Sequence, residues 1–303
     1  MSLLTSNGIS IDDCRGQAYD NASNMSGKYK GLQVQVKHLN KCAVYVPCAG
    51  HSLNLAGACS ADSCLEAVKF FSVTQKLYAF FVASPKRWKY FLDSISETGE
   101  HLVLKSLSEA RWSKHAESRE AIRKNFKAVQ CCLESISKNV EENGDTRNEA
   151  RSLFKKMAKL ETEVMTIFWS EILECFDKTS AALQKPGLDI STAVNLLSSL
   201  EGSVNSLRPL FDTFEARARM LSTIQCYQDE GKRIVSRRYP DGKSDCAVQG
   251  RDKFLIETYN VVLDSLQLCS AGAKGCLRRS LSEVRVFKFA DRPGREVGEN
   301  PKK

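Results

Sequence analysis

Residues 13–55, DCRGQAYDNASNMSGKYKGLQVQVKHLNKCAVYVPCAGHSLNL, constrain the fold more than any other part of the chain. Residues 14–19 can run extended and stop at Asp20, directly before the turn-forming Asn21, Ser23, Asn24 and Ser26. From Ser23 onward, Tyr29, Leu32, Val36 and Leu39 follow helical spacing, and Ser23 or Asn24 can cap the first turn. Ala43, Val44, Tyr45 and Val46 read as a buried strand stopped by Pro47, and residues 48–55 begin another helix. Strand, helix, strand, helix is the order of an α/β layer, with Asp20 at the carboxyl end of its first strand.

Beyond residue 55 most of the chain has helical periodicity. Residues 65–82 place Val68, Phe71 or Ser72, Gln75, Tyr78 and Phe81 on one face, a core-facing helix. Ser84 and Pro85 then restart a helix as cap and first residue. Lys86, Arg87 and Lys89 surround Trp88, either as a stacking and phosphate-contacting patch or as a basic helix face with one packed indole. Residues 101–107 alternate loosely enough for a strand.

From 113 to about 220 three amphipathic helices are expected. The first carries Ile122, Phe126, Val129, Leu133, Ile136 and Val140, closed by Asn143 and Gly144. The second carries Leu153, Met157, Leu160, Val164, Phe168, Ile172 and Cys175, ended by Pro186 and Gly187. Asp189 can cap the third, whose stripe of Ile190, Ala193, Leu197, Leu200, Val204, Leu207, Phe211 and Phe214 is interrupted by Pro209. That stripe is either an internal bundle seam or a seat for a partner protein or second copy. Residues 254–268 form a further helix, and the tail 269–303, with little periodicity, is expected to be mostly disordered.

A chain of 303 residues, 42% hydrophobic and 26% charged, can bury one large core or two smaller ones. It has no run of 18 apolar residues and its first residues lack a charged leader, so neither a membrane partner nor secretion is expected. Twelve cysteines without framework spacing suit reduced thiols in a nucleus or cytoplasm. The net charge of +8 is spread along the chain and allows nucleic acid without requiring it.

The motifs GQAYDNASNMSGKYKGLQ, CAGHSLNL and, further on, Ala110-Arg111-Trp112-Ser113 resemble the hAT superfamily of cut-and-paste DNA transposases. The resemblance is to its domesticated branch, related to zinc finger MYM-type protein 1 and the THAP-containing repressor of the inhibitor of protein kinase. It runs from about residue 8 to about residue 266. It implies a fold class of α/β plus all-α: a partial RNase H-like fold with few strands (1–112), a large helical insertion domain (113–268) and the divergent tail (269–303).

In that family three acidic residues hold two divalent metals for strand cleavage and transfer. Asp20 matches the second of them, where a carboxylate at a strand end can hold one of a pair of Mg²⁺ ions; its alternative is to cap the following turn. In the family the first carboxylate lies on an earlier strand, upstream of the matched segment, so it is expected to be missing; Asp12 and Asp13 read as turn or solvent carboxylates, and Glu283 does not match the context of the third. Cys48 and His51 correspond to the family's C/D-x-x-H motif. With Cys42, Cys59 and Cys64 they could hold zinc, or His51 could be a buried, hydrogen-bonded core residue beside an inert Cys48.

Arg111 and Trp112 correspond to the pair that begins the insertion, where the indole either stacks on an unpaired DNA base or simply packs. Lys232, Arg233, Arg237 and Arg238, in the basic segment 231–243, form a nuclear-import or phosphate-contact loop, or a solvated one. The resulting expectation is a transposon-derived protein or fragment with a vestigial Asp20 and no stably bound cofactor, Mg²⁺ entering only if the ancestral activity survives. It would act as a nuclear DNA- or protein-binding module. The alternatives are an active transposase or nuclease completed by further sequence or a partner, and a helical scaffold for protein interactions.

Overall fold

A computed structural model of the chain describes residues 2–96, 122–229 and 248–290. A short helix α1 (Ser2–Ser6) and a 3-10 turn (Ile11–Asp13) lead into strand β1 (Gly16–Tyr19). Then come α2 (Ser23–Ser26), α3 (Leu32–Leu39), strand β2 (Val44–Pro47) and α4 (Ala49–Ala61). The two strands pair in parallel, from Gly16 beside Val44 to Tyr19 beside Pro47, and are the only strands among the described residues. This is the order expected from residues 13–55, with the crossover that parallel strands require.

The crossover itself differs from expectation. One helix from Ser23 does not form, because the chain breaks after Ser26 and resumes at Leu32. Gly27 and Gly31 make the break: a Cβ on Gly27 would strike the Ser23 carbonyl, and one on Gly31 would strike the Gly27 backbone. Tyr29, expected on the helix face, is instead 83% exposed on the loop between the two glycines.

Two buried amides lock the unit together. Gln17 Nε2 donates to the carbonyls of Gln33 and Ala43, both at 3.0 Å, tying β1 to α3 and to the residue before β2. Asn40 Nδ2 donates to the carbonyls of Ile11 (2.8 Å), Asp12 (3.1 Å) and Cys14 (2.8 Å), while its Oδ1 accepts from Cys42 N–H at 2.8 Å. These bonds satisfy backbone groups that no strand partner reaches, which is what a two-stranded sheet needs at its margins.

The remainder is helical: α5 (Leu65–Val82), α6 (Pro85–Ser96), α7 (Phe126–Lys138), α8 (Gly144–Met157), α9 (Leu160–Leu183), α10 (Ile190–Leu207) and α11 (Phe211–Leu221). The last stretch joins α12 (Gly250–Phe254), a π-helical turn (Leu255–Asn260) and α13 (Val261–Ala290). The whole is a largely helical α/β fold with few strands. Asn143 and Asp189 cap α8 and α10 by accepting from Thr146 N–H (2.7 Å) and Thr192 N–H (2.9 Å). Gly187, at a φ of 77°, turns the chain between α9 and α10.

Two hydrophobic clusters form. One holds Phe168, Trp169, Ile172, Leu197, Phe214, Tyr259 and Leu266 from α9 to α13, together with Leu53 of α4 and Phe70 of α5. The other holds Leu77, Phe81, Phe91, Val129, Leu133, Leu153 and Met157 from α5 to α8. Helix α5 enters both, its first half in one and its second half in the other.

Three further helical expectations are corrected. The buried face of α5 is Ala67, Phe70, Thr74, Leu77 and Phe81, while Val68 is exposed. Flanking clusters on two sides decide the rotation, which a single apolar stripe did not reveal. The helix expected through Leu153 and Cys175 is two, α8 and α9, broken at Ala158 and Lys159 where the chain passes from one cluster to the other. Val140 lies beyond α7 and is exposed.

The tail is the largest correction. Residues 269–290 are helical, as the continuation of α13. Ser270, Leu277 and Ser280 are buried, so packing against the rest of the fold supplies what a weak apolar period lacks. The stripe of α10 and α11 is an internal seam: Ala193, Leu197, Leu200, Val204, Leu207, Phe211 and Phe214 are all buried, and Pro209 lies in a 3-10 turn (Arg208–Leu210) between the helices.

Candidate functional site

The carboxyl ends of the two strands open onto a groove of about 650 Å³. In open α/β sheets the crevice beyond the strand ends is where ligands bind. One wall comes from Asn21, Ser26, Gln33 and Lys37, the floor from Tyr45, Pro47 and Ser52, and the far wall from Cys269, Cys276, Arg279, Ser280 and Glu283 of α13. The wall helix is fixed by Ser280 Oγ, which donates to the Tyr45 carbonyl at 2.9 Å, and by the Lys37 to Glu283 ion pair at 3.0 Å. The Tyr45 hydroxyl is buried, and burial pushes its pKa upward.

Asp20 does lie at the carboxyl end of β1, and it is exposed. Its Oδ1 accepts from Ala22 N–H at 3.2 Å, the capping geometry of the following turn. The neighbouring Asn21 reaches across the strand ends, Nδ2 donating to Ser52 Oγ at 2.8 Å, and Ser52 Oγ donates in turn to the Cys48 carbonyl at 3.0 Å. Cys48 N–H donates to the Tyr19 carbonyl at 3.0 Å, so the two strand ends are held side by side. Sequence reasoning passed over Asn21, Gln17 and Asn40; their only signal is an uncharged amide inside or beside a short strand.

Cys48 is exposed and its carbonyl, not its thiol, does the bonding. His51 is half-buried in the first turn of α4 and makes no side-chain hydrogen bond among the described residues, so the hydrogen-bonded core reading of His51 does not hold. Among the described residues no three His, Cys, Asp or Glu side chains gather as a metal site. Cys42, Cys48, His51, Cys59 and Cys64 are therefore not brought together.

Most of the basic patch around Trp88 is occupied internally, while Lys89 is exposed. Lys86 pairs with Glu142 at 2.7 Å, Arg87 stacks over the Phe80 ring at 4.6 Å, and Trp88 packs 5.4 Å from Phe91. A different basic aromatic element is exposed: Lys28, Tyr29 and Lys30 on the loop between Gly27 and Gly31, with Lys28 Nζ 5.8 Å from the centre of the Tyr29 ring. Arg111, Trp112, Lys232, Arg233, Arg237 and Arg238 lie outside the described residues.

Residues 1–31 match the family model described as DUF4371: ZMYM1/FAM200, RNase-like domain. The match points to a transposase-derived family and supports nothing more specific. The DUF4371 segment contains β1, Asp20, α2 and the Lys28 to Lys30 loop, and it stops before Cys48 and His51. No solved structure matches the chain. No described helix is long and apolar enough to cross a membrane.

Proposed function

We propose that the chain is a hAT-like, transposon-derived protein that binds DNA in the nucleus and does not cleave it. The division into an RNase H-like part (1–112) and a helical insertion (113–268) belongs to this reading. The observation that carries it is the loop Lys28-Tyr29-Lys30: an 83% exposed aromatic between two lysines, held out by glycines that admit no side chain, within the segment that matches the RNase-like family. A ring so exposed can stack on an unpaired base, and flanking ammonium groups meet the backbone phosphates.

Loss of cleavage is supported by the surroundings of Asp20. Two-metal chemistry needs several carboxylate oxygens converging on the ions. Asp20 is turned to its own turn amide, and Glu283 is held by Lys37. If Mg²⁺ entered, Asp20 would be the ligand.

The test is binding of the purified chain to single-stranded and duplex DNA over a salt series. Affinity that falls steeply with salt, and falls further in Lys28→Ala and Lys30→Ala, supports the proposal. Salt-independent association with protein alone favours the scaffold reading. Mg²⁺- or Mn²⁺-dependent cleavage abolished by Asp20→Asn would overturn the inactive assignment.

A further inference from the structure

Three cysteines that the proposed DNA binding does not use line the groove: Cys59, Cys269 and Cys276. Helices α4 and α13 run antiparallel: Ser280 is anchored to Tyr45 just before α4 begins, and Cys269, eleven residues back along α13, returns to the level of Cys59 near the other end of α4. At ~1.5 Å per residue both paths cover a similar rise. The faces that border the groove are small-residue faces: Ser52, Ala56 and Cys59 on α4, with Gly272, Ala273 and Cys276 on α13. Both Cys59 and Cys269 line the groove at matching levels of the two helices, with Cys59 close enough to help raise the Cys269 pKa. Cys59 is exposed and Cys269 half-buried.

We propose that Cys59 and Cys269 form a reversible disulfide, driven by a hydroperoxide, that clasps α13 to α4. The exposed Cys59 sulfur reacts first: its thiolate takes the distal oxygen of the hydroperoxide, the O–O bond breaks, and water or an alcohol leaves once the oxygen is protonated. Cys269 then attacks the resulting sulfenic sulfur, the S–S bond forms, and hydroxide departs with the Cys269 proton as water. Two thiols are oxidised by two electrons and one peroxide is reduced. Burial, and then the neighbouring Cys59, push the Cys269 thiol up to about 11, so it stays protonated and unreactive until a sulfenic acid stands beside it. In a reducing compartment the pair is a sensor and not a permanent staple.

The full chain is treated with hydrogen peroxide, blocked with an alkylating agent and mapped by mass spectrometry. The expected result is a mass lower by two hydrogens, one cross-linked peptide pair carrying Cys59 and Cys269, and reversal by dithiothreitol. The oxidised protein should also melt at a higher temperature than the reduced one. The peptide pair should vanish in Cys59→Ser and in Cys269→Ser and persist in Cys131→Ser, an exposed thiol outside the groove. Mapping of the wild-type chain decides the matter even if a variant folds poorly. A bond to Cys276 or Cys48 instead, or oxidation that stops at sulfenic acid with Cys269 still alkylated, would overturn the proposal.

Discussion

Ser280 Oγ donates to the carbonyl of Tyr45 at 2.9 Å, joining positions separated by 235 residues of sequence. With Leu277 buried and Lys37 paired to Glu283, this makes α13 the lid over β2 and α4. A chain ended after Leu268 should therefore lose about 3 kcal/mol, roughly one buried leucine plus one hydrogen bond. Urea unfolding followed by circular dichroism measures it. An unchanged midpoint would mean that the helix adds nothing to the fold.

Asn40 and Asp20 make contrasting tests. Asn40→Ala removes four hydrogen bonds of a buried amide, though Cys14 N–H still reaches the Ile11 carbonyl and Arg15 the Asp12 carbonyl, and should cost roughly 2–4 kcal/mol. Asp20→Ala gives up one exposed turn bond, and its effect should stay below about 1 kcal/mol. Thermal melts of the two variants should differ accordingly.

Glu163 gives the fold a pH dependence in the alkaline direction. It is 1% exposed, and burial pushes its pKa up to about 8. Gln130, Lys127 and Ser222 offset this only in part. The folded form therefore holds a proton that the unfolded form has released between about 4.5 and about 8. Stability should fall as pH rises through that window and level off above it, by roughly 2–5 kcal/mol in all. Glu163→Gln should flatten the profile, as read from denaturant midpoints at a series of pH values.

Glu215 works in the opposite direction. Burial alone would raise its pKa, but Arg219 (2.8 Å), Arg251 (2.8 Å) and the Tyr227 hydroxyl (3.0 Å) all donate to it and hold it below the ordinary value. Its contribution is present above the ordinary carboxylate range and lost as pH falls through its lowered value. Glu215→Ala should cost roughly 1–3 kcal/mol by removing three hydrogen bonds, two of them from charged guanidinium groups. A variant with the stability of the native chain at neutral pH would show that the network is dispensable.

For the loop, the double change Lys28→Ala and Lys30→Ala should lower the slope of log affinity against log salt by about 2, one for each phosphate no longer neutralised. Tyr29→Ala should weaken binding of single-stranded DNA by roughly 1–3 kcal/mol and leave the slope unchanged. Fluorescence anisotropy with labelled oligonucleotides separates the two effects.

The local order of the α/β unit could be read directly from residues 13–55, because Pro47, the turn residues after Asp20 and the alternation of short apolar runs are signals that act over a few residues. The cap Asp189 and the break at Pro209 were legible for the same reason, whereas Asn143, read as the close of one helix, in fact caps the start of the next. What escaped the sequence depends on distant partners. Val68 and Phe70 are both apolar and two apart, and only the two clusters flanking α5 decide which turns inward. Residues 269–290 have little apolar period because this part of α13 buries Ser270 and Ser280 beside a single leucine, Leu277, a composition that resembles a disordered one. Tyr29 looked like a helix-face residue until the glycines beside it broke the helix. At the site, Asp20 was placed correctly at the strand end, but the groove beside it is half made of a helix from the far end of the chain.

That wall has a consequence for how the molecule comes into being on the ribosome. The strands that frame the groove are translated 235 residues before Ser280 arrives to cover them. At roughly 5–20 residues per second they wait about 12–47 s without the helix that closes the groove. Nascent chains should accordingly engage holding chaperones until α13 has emerged, and slower translation should lower the yield of folded protein.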